Sequence, residues 1–205
     1  MTDAQVADRK PTAAQAPVTF YGVHHLALNT DDMKTTVDFY AGVLGMRLVH
    51  TMKVPPGLGV GPGNRGNPPF EEIRHYFFDM GQDSLLAFFE VPRGAEPRSN
   101  RNAVGGMQHV AFTVTRARFD EIEHRLDAAG VAHTPRLAQL PGMQGIYFYD
   151  PNGIRLEMAC QIADGEAPAV LRGVRQSKAE ARAELAGLAA GDAAWLERRL
   201  AAFSD

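Results

Sequence analysis

Hydrophobic and polar positions follow the same order twice along this 205-residue chain. Alternating, strand-like stretches begin at His25 and at His109, and each is followed by apolar residues at helical spacing. Each helical stretch ends at a glycine, Gly45 or Gly130, which comes 20 residues after the first histidine and 21 after the second. Three more strand-like stretches follow in each half. Because a repeated order at a repeated spacing indicates tandem units, the pattern predicts two βαβββ modules and an α+β fold.

Turn and capping residues set the element boundaries. Module one (22–92) is predicted to contain a helix capped by Thr30 or Asp31, and strands over 23–29, 46–54, 74–80 and 84–91. Module two (107–162) is predicted to contain a helix through Phe119 and strands over 109–114, 131–134, 145–149 and 154–160. The remaining predicted segments are a disordered lead (1–20), a polar linker between the modules (93–106) and a helical C-terminal tail (163–205) with a capping-box sequence, Ser177 to Glu180.

The composition excludes several classes of protein. A net charge of −3 and a pI near 6.2 provide no basic surface for nucleic acid. No apolar run reaches the ~18 residues that a membrane span needs. The single cysteine, Cys160, excludes an internal disulfide and fits a reducing compartment. We therefore expect a cytoplasmic protein that binds a small molecule, with no nucleic-acid or membrane partner.

Strand parity places both histidines on faces turned away from the helices. Neighbouring residues of a strand point to opposite faces, so His25 is opposed to Leu26 and His109 is opposed to Val110. The apolar neighbours are expected to pack against the helix of each module. The two histidines are therefore available to line a shared concave surface.

A glutamate completes this set of candidate ligands. Glu157 lies on a strand whose other face carries Leu156 and Met158. A carboxylate on such a strand is costly to bury alone, and a divalent cation removes that cost. Two neutral imidazoles and a carboxylate suit Fe(II), Mn(II), Ni(II), Co(II) or Zn(II). The sequence therefore predicts a metal site made by His25, His109 and Glu157.

Glu90 is a further candidate ligand, because it lies on the last strand of module one as Glu157 lies on that of module two. A gapless alignment of the two hairpins, with Ser84 on Gly153, places Phe88 rather than Glu90 opposite Glu157. The two positions differ by two residues, or ~6.6 Å along a strand. The sequence leaves open whether Glu90 binds the metal.

These motifs resemble those of the vicinal oxygen chelate superfamily, which includes glyoxalase I, bleomycin-resistance proteins and extradiol dioxygenases. The resemblance covers about residues 20–162 and lies in the runs 25–28, 38–40, 44–49, 109–112 and 150–157. It implies two βαβββ modules that form a curved mixed-sheet cup around a metal, and a substrate that binds the ion through two adjacent oxygens. It also implies a homodimer, because cups of this superfamily are often paired or exchanged between chains.

Two subclasses of the superfamily compete, and the first is that of the ring-cleaving, extradiol-type dioxygenases. These enzymes hold Fe(II), or sometimes Mn(II), with two histidines and one glutamate, as at His25, His109 and Glu157. They also carry a tyrosine ten residues before the glutamate, where this chain has Tyr147. The resemblance thus implies a dioxygenase of an aromatic diol, with Tyr147 or Glu90 assisting proton movement as catalytic residues.

Two other activities remain open on the sequence. Glyoxalase-like lyases and epimerases hold Ni(II), Co(II) or Zn(II) with four ligands, and His25, Glu90, His109 and Glu157 match that set by residue type. In such enzymes a glutamate abstracts a proton next to a carbonyl, which is the role that Glu90 would have. The second of these alternatives is a ligand-sequestering resistance protein, which binds a molecule without catalysing a reaction.

Overall fold

The structure is a computed structural model that describes residues 20, 22–54, 73–91, 97–138, 142–161, 174, 176–201 and 203. The chain divides into two compact units, one formed by residues 22–173 and the other by 1–21 together with 174–205. The first unit contains both predicted modules. Of the lead predicted over 1–20, all but Phe20 lies outside the described residues.

Module one forms a four-stranded mixed sheet. Its strands are β1 (His25–Thr30), β2 (Leu48–Lys53), β3 (Arg74–Gly81) and β4 (Ser84–Glu90). The sheet order is β1-β4-β3-β2, and β1 runs parallel to β4 while the other neighbours are antiparallel. The predicted order of elements in this module is confirmed.

The helix of module one starts one residue later than the candidate caps. Helix α1 (Met33–Val37) is capped by Asp32, whose side chain accepts a hydrogen bond from the backbone N–H of Thr35. Thr30 cannot cap it, because Thr30 is the last residue of β1. The helix continues as a π-helical segment (Asp38–Val43), and Gly45 follows with φ +69°, in the left-handed region that glycine tolerates.

Module two repeats this architecture. Its helix α2 (Arg116–Ala128) follows β5 (Val110–Thr113), and the remaining strands are β6 (Leu137–Ala138), β7 (Met143–Tyr149) and β8 (Arg155–Gln161). The sheet order is β5-β8-β7-β6, with β5 parallel to β8. The strand order therefore matches that of module one, as expected from a duplicated unit.

The short strand predicted over 131–134 is misplaced. Only His133 pairs there, as an isolated bridge to Phe148, and the ladder resumes at β6. Pro135 lies between the two, and because proline lacks a backbone N–H it interrupts strand pairing.

One hydrophobic core joins the two modules. It is built from the apolar faces of both sheets together with the residues of α1, the π-helical segment and α2 that pack on them. Its fully buried members include Tyr40, Phe78, Phe88, Phe119, Phe148 and Leu156. The opposite face of each sheet, which carries His25 or Glu157, is outside this core and is called here the open face.

A buried polar network also connects the modules. The hydroxyl of Tyr40, which is fully buried, donates a hydrogen bond of 3.1 Å to Oδ2 of Asp150 in the β7–β8 turn. Burial raises the pKa of Tyr40 well above its ordinary value, and the Asp150 charge raises it further. Burial also raises the pKa of Asp150, against the hydrogen bonds from Asn152 and Ile154. The network fixes the turn of module two on the helix of module one.

Replacing Tyr40 by phenylalanine should lower the free energy of unfolding by about 1–3 kcal/mol, because Asp150 loses a buried donor. Urea titration followed by circular dichroism measures the change. Tyr149→Phe is the control, because Tyr149 is 49% exposed and its variant should be near wild type. Equal stabilities of the two variants would remove the Tyr40 hydroxyl from the network.

The second compact unit contains two described helices, α3 (Lys178–Ala189) and α4 (Ala193–Ala201). The predicted capping box is confirmed, since the side chain of Ser177 accepts from the backbone of Glu180 and the Glu180 carboxylate accepts from the backbone of Ser177. Among the described residues, no helix is long and apolar enough to cross a membrane.

Candidate metal centre

Two of the candidate ligands meet on the open face of module two. Nε2 of His109 lies 3.1 Å from Oε2 of Glu157. Glu157 is in the middle of β8, paired with Ala111 of β5 on one side and Tyr147 of β7 on the other. Although it is on the open face, Glu157 is only 6% exposed. Strand pairing thus places a buried carboxylate beside an imidazole.

A glycine makes room for this carboxylate. A Cβ atom on Gly145 of β7 would come within 2.7 Å of Oε1 of Glu157, closer than real Cβ contacts. The missing side chain at position 145 therefore allows the glutamate to fold back over β7. Any larger residue would displace the carboxylate from its present position.

Tyr147 lies next to the pair. Its ring meets the His109 ring edge-on, with the centroids 5.5 Å apart. The guanidinium carbon of Arg155 lies 3.9 Å from the centre of the Tyr147 ring, a cation–π contact. The predicted catalytic tyrosine is therefore on the same open face as His109 and Glu157, with its ring held between them and Arg155.

Gln108 determines the hydrogen bonding of His109. The Gln108 amide satisfies all its neighbours when its nitrogen donates to Nδ1 of His109 and its oxygen accepts from Arg155 and Arg101. Because Nδ1 then accepts, the ring proton is on Nε2 and is donated to Glu157. The imidazole is thus oriented from both sides, as a metal ligand usually is.

His25 is on the open face of module one, among other aromatic side chains. It is exposed, and its Nδ1 is 2.8 Å from Nδ1 of His24, so its Nε2 edge is the one available to a metal. His75 stacks on Phe89, with ring centroids 3.6 Å apart and planes 2° from parallel, and it meets the ring of Phe77 edge-on. These three rings form an aromatic surface on the same sheet face as His25.

His75 is kept neutral by this position. Burial lowers its pKa, against a backbone hydrogen bond from its Nδ1 to the Phe88 carbonyl, and the nearby His25 and His50 lower it further. The open face of module one therefore offers a neutral imidazole at His75 beside the phenyl rings of Phe77 and Phe89.

The described residues of one chain do not bring His25 to the His109–Glu157 pair. Among residues 22–54, 73–91, 97–138 and 142–161, no group of three or more histidine, cysteine, aspartate or glutamate side chains is close enough to hold a metal ion. The two modules thus carry their candidate ligands on separate open faces.

The structural counterpart of Glu157 in module one is Ala87. Glu157 pairs with Ala111, two residues after His109, and Ala87 pairs with Ala27, two residues after His25. The gapless alignment, which placed Phe88 there, is therefore wrong by one residue. The error lies in the starting pair, because Phe77 and Ala87 are ten residues apart, as are Tyr147 and Glu157, so Ser84 corresponds to Ile154 and not to Gly153.

Glu90 has a different environment from the one that the alignment suggested. A shift of one residue reverses the face of a strand, so Glu90 shares the core-facing side with Phe88 and not the open face of His25. Its Oε1 accepts a hydrogen bond of 2.9 Å from the backbone N–H of Met33, and its Oε2 pairs with Arg74. A carboxylate at this point stabilises the start of α1. We therefore leave Glu90 out of the candidate ligand set.

Sequence reasoning missed the roles of Gln108, Arg101 and Arg155. Arg155 is two residues before Glu157, so strand parity puts both on one face, and that was the available signal. Gln108 and Arg101 precede β5, in a segment whose conformation the hydrophobic pattern does not fix, so nothing in the sequence indicated their contacts.

The chemistry of the pair fits a divalent metal ion. Ligand nitrogens and oxygens lie about 2.0–2.2 Å from such ions, so two ligands at a right angle are separated by about 3.0 Å. The observed 3.1 Å between Nε2 of His109 and Oε2 of Glu157 is close to that value. An ion between them would take the place of the Nε2 proton.

Known proteins share this architecture. Residues 22–158 match the Glyoxalase/Bleomycin resistance protein/Dioxygenase superfamily. Among solved structures, a glyoxalase/dioxygenase from Nostoc punctiforme is 26% identical with a TM-score of 0.54, and the match covers 75% of this chain and all of that one. A glyoxylase/bleomycin resistance protein/dioxygenase domain from Frankia sp. EAN1pec is 21% identical with a TM-score of 0.54, over 72% of this chain and 96% of that one.

A glyoxalase family protein from Enterococcus faecalis is 22% identical with a TM-score of 0.52, over 68% of this chain and 98% of that one. The likenesses below 25% identity concern the fold. The sequence match extends from before β1 into β8 and so includes both modules. The chain therefore belongs to the Glyoxalase/Bleomycin resistance protein/Dioxygenase superfamily.

Proposed function

We propose that this chain is a metal-dependent dioxygenase that cleaves the ring of an aromatic diol, bound through its two adjacent oxygens. The observation that carries the proposal is the distribution of ligands. Module two has a histidine paired with a glutamate, whereas module one has a histidine with Ala87 in place of the acid. Two histidines and one carboxylate are the set typical of non-haem Fe(II) oxygenases, and it leaves positions open for substrate.

The side chains of the site have distinct tasks. His25, His109 and Glu157 would hold Fe(II) or Mn(II), and the ion, when bound, supplies redox chemistry and brings diol and O2 together. Gln108 orients the His109 ring, and Gly145 leaves space for the carboxylate. Tyr147 is on the same face, and its hydroxyl would donate a hydrogen bond to a diol oxygen. It would also transfer a proton to or from that oxygen as the ring opens.

A second copy of the chain completes the proposed site. The described residues of one chain bring no third ligand to His109 and Glu157. In a twofold dimer, each chain can offer His25 to the pair on its partner, because such symmetry makes both contacts equivalent. We therefore propose a homodimer with two sites, each built from module one of one chain and module two of the other.

The open face of module one supports an aromatic substrate. In the completed site, His75, Phe77 and Phe89 would face the ligand together with His25. Aromatic side chains stack favourably on a planar ring, by about 0.5–1.5 kcal/mol beyond the buried area. Neutral imidazole at His75 avoids placing a second positive charge beside the metal.

Subunit mixing tests the shared site. His25→Ala and Glu157→Gln should each be inactive, because each removes one ligand from both sites of a homodimer. A mixed dimer has one site with both substitutions and one with neither. After random exchange half of the dimers are mixed, so we expect about a quarter of wild-type activity to return.

The measurement is O2 uptake by the Fe(II)-loaded protein with catechol, after refolding the two variants together. Mixing His25→Ala with His109→Ala is a second test and should give the same recovery. Mixing His109→Ala with Glu157→Gln is the matched control, which should recover nothing because both ligands come from one module. Recovery in neither test pair would contradict the shared site, and an Fe(II)-loaded wild-type protein that consumes no O2 would contradict the dioxygenase.

A further inference from the structure

The arginines of the two modules fall into two groups. Among the described residues of 22–161, one group forms ion pairs with aspartate or glutamate: Arg47, Arg74, Arg116, Arg118, Arg125 and Arg136. The other group has no carboxylate within 4.0 Å in that part of the chain: Arg98, Arg101 and Arg155. Two members of this second group lie at the candidate metal centre.

Arg101 and Arg155 converge on a single oxygen. The side-chain oxygen of Gln108 accepts from Nη1 of Arg155 at 3.2 Å and from Nη1 of Arg101. Both arginine residues are half-buried. Two cations that share one neutral acceptor repel each other, and an amide oxygen compensates this less well than a carboxylate does.

The position of this arginine pair relates it to the metal ligands. Arg155 is two residues before Glu157 on the same face of β8, which corresponds to ~6.6 Å along the strand. The same amide that holds the arginines also contacts the ring of His109. Arg155 is further fixed by its contact with the ring of Tyr147. Arg155 is therefore next to the candidate ligands in the strand, and both arginines are linked to His109 through one amide.

We propose that Arg101 and Arg155 bind a carboxylate carried by the substrate. The inference rests on the proposed function and narrows its substrate class to aromatic diols with a carboxylate on the ring, opposite the two oxygens. A guanidinium group matches a carboxylate with two parallel hydrogen bonds, so Arg155 fixes the orientation of the ring as well as its affinity. The adjacent oxygens of the same ring then point to His109 and Glu157.

Ligand binding to the Zn(II)-loaded protein tests this without turnover. Isothermal titration should show 3,4-dihydroxybenzoate binding at least about tenfold more tightly than catechol, as expected from one charge-assisted hydrogen-bonded pair. Arg155→Gln and Arg101→Gln should each reduce this preference to about threefold or less. The preference in Arg155→Lys should be intermediate, because lysine keeps the positive charge but cannot make the two parallel hydrogen bonds of a guanidinium group.

Arg98→Gln is the matched control. Arg98 also lacks a carboxylate partner among the described residues, but it donates to the Pro151 carbonyl in the β7–β8 turn and not to Gln108. Its variant should keep the full preference for the carboxylate. A preference that is equally reduced in Arg98→Gln would indicate a general effect of positive charge and would overturn the assignment.

Benzoate separates this inference from the proposed function. Benzoate lacks adjacent oxygens, so its ligand-observed NMR binding signal with the metal-free protein depends on the arginines and should disappear in Arg155→Gln, while neutral benzamide should give no signal in either protein. If the diols bind only with metal but the carboxylate adds nothing, the inference fails and the proposed function stands. If benzoate binds through Arg155 while neither diol binds the loaded protein, the anion site stands and the diol substrate falls. Absence of benzoate binding overturns the arginine site.

Discussion

Glu157→Gln should lower the affinity for Fe(II), Mn(II) or Zn(II) at least about 100-fold, because it removes the only carboxylate among the three proposed ligands. Glutamine has the same shape, and its side-chain oxygen can still accept from Nε2 of His109 across the observed 3.1 Å. The metal-free variant should therefore fold with nearly wild-type stability. Competition with a chromophoric chelator measures the metal affinity. Thermal unfolding with and without metal measures how much metal binding stabilises the fold.

Glu90→Gln is the matched control for this prediction. Glu90 pairs with Arg74 and accepts from the backbone of Met33, so we expect a loss of about 1–3 kcal/mol in the free energy of unfolding. Metal affinity should stay within about twofold of wild type. Unchanged metal affinity in Glu157→Gln would remove Glu157 from the ligand set, and a large loss in Glu90→Gln would return the four-ligand lyase site to consideration.

Phe148→Ala should reduce the free energy of unfolding by about 3–5 kcal/mol, the usual cost of emptying a buried aromatic site. Phe148 is 1% exposed on the core-facing side of β7, and its ring packs against Phe39 of module one with centroids 6.4 Å apart. The loss therefore affects the contact between modules as well as the interior of module two. Urea titration gives the free energy of unfolding.

Residue-level hydrogen exchange shows whether both modules open together. Because one core joins them, protection should fall in β1 and β4 of module one as well as in β7 and β8. Tyr149→Ala, one residue further along and 49% exposed, is the control and should change stability by about 0.5 kcal/mol or less. A decrease of protection confined to module two would show that the modules unfold independently.

The duplicated architecture was predictable because it depends on local pattern. Alternation of apolar residues indicated β1, β4, β7 and β8, and the helix-ending Gly45 and Gly130 adopt the positive φ angles expected of them. The exceptions have specific causes. Pro135 interrupts the strand predicted over 131–134, and Thr30 belongs to β1 and leaves the cap to Asp32.

The candidate site was predictable only in part. The side of the strand that carries His109 and Glu157 follows from parity, and the structure places these two together. The face on which Glu90 lies depends on the register of β4. That register is set by the β3–β4 turn, in which Gln82 and Asp83 both have positive φ angles. The sequence alignment started from Ser84 on Gly153, one residue away from the observed register, and a shift of one residue exchanges the two faces of a strand.

The presence of Ala87 at the position equivalent to Glu157 determines the electrical balance of the proposed centre. With Glu157 as the single carboxylate and two imidazole ligands, a dication would retain one net positive charge. A second glutamate would cancel it. The remaining charge would favour a substrate that has lost a proton, and so would lower the pKa at which a diol releases its first hydroxyl proton on binding. An alanine in the middle of β4 would thus leave the centre with an attraction for anions.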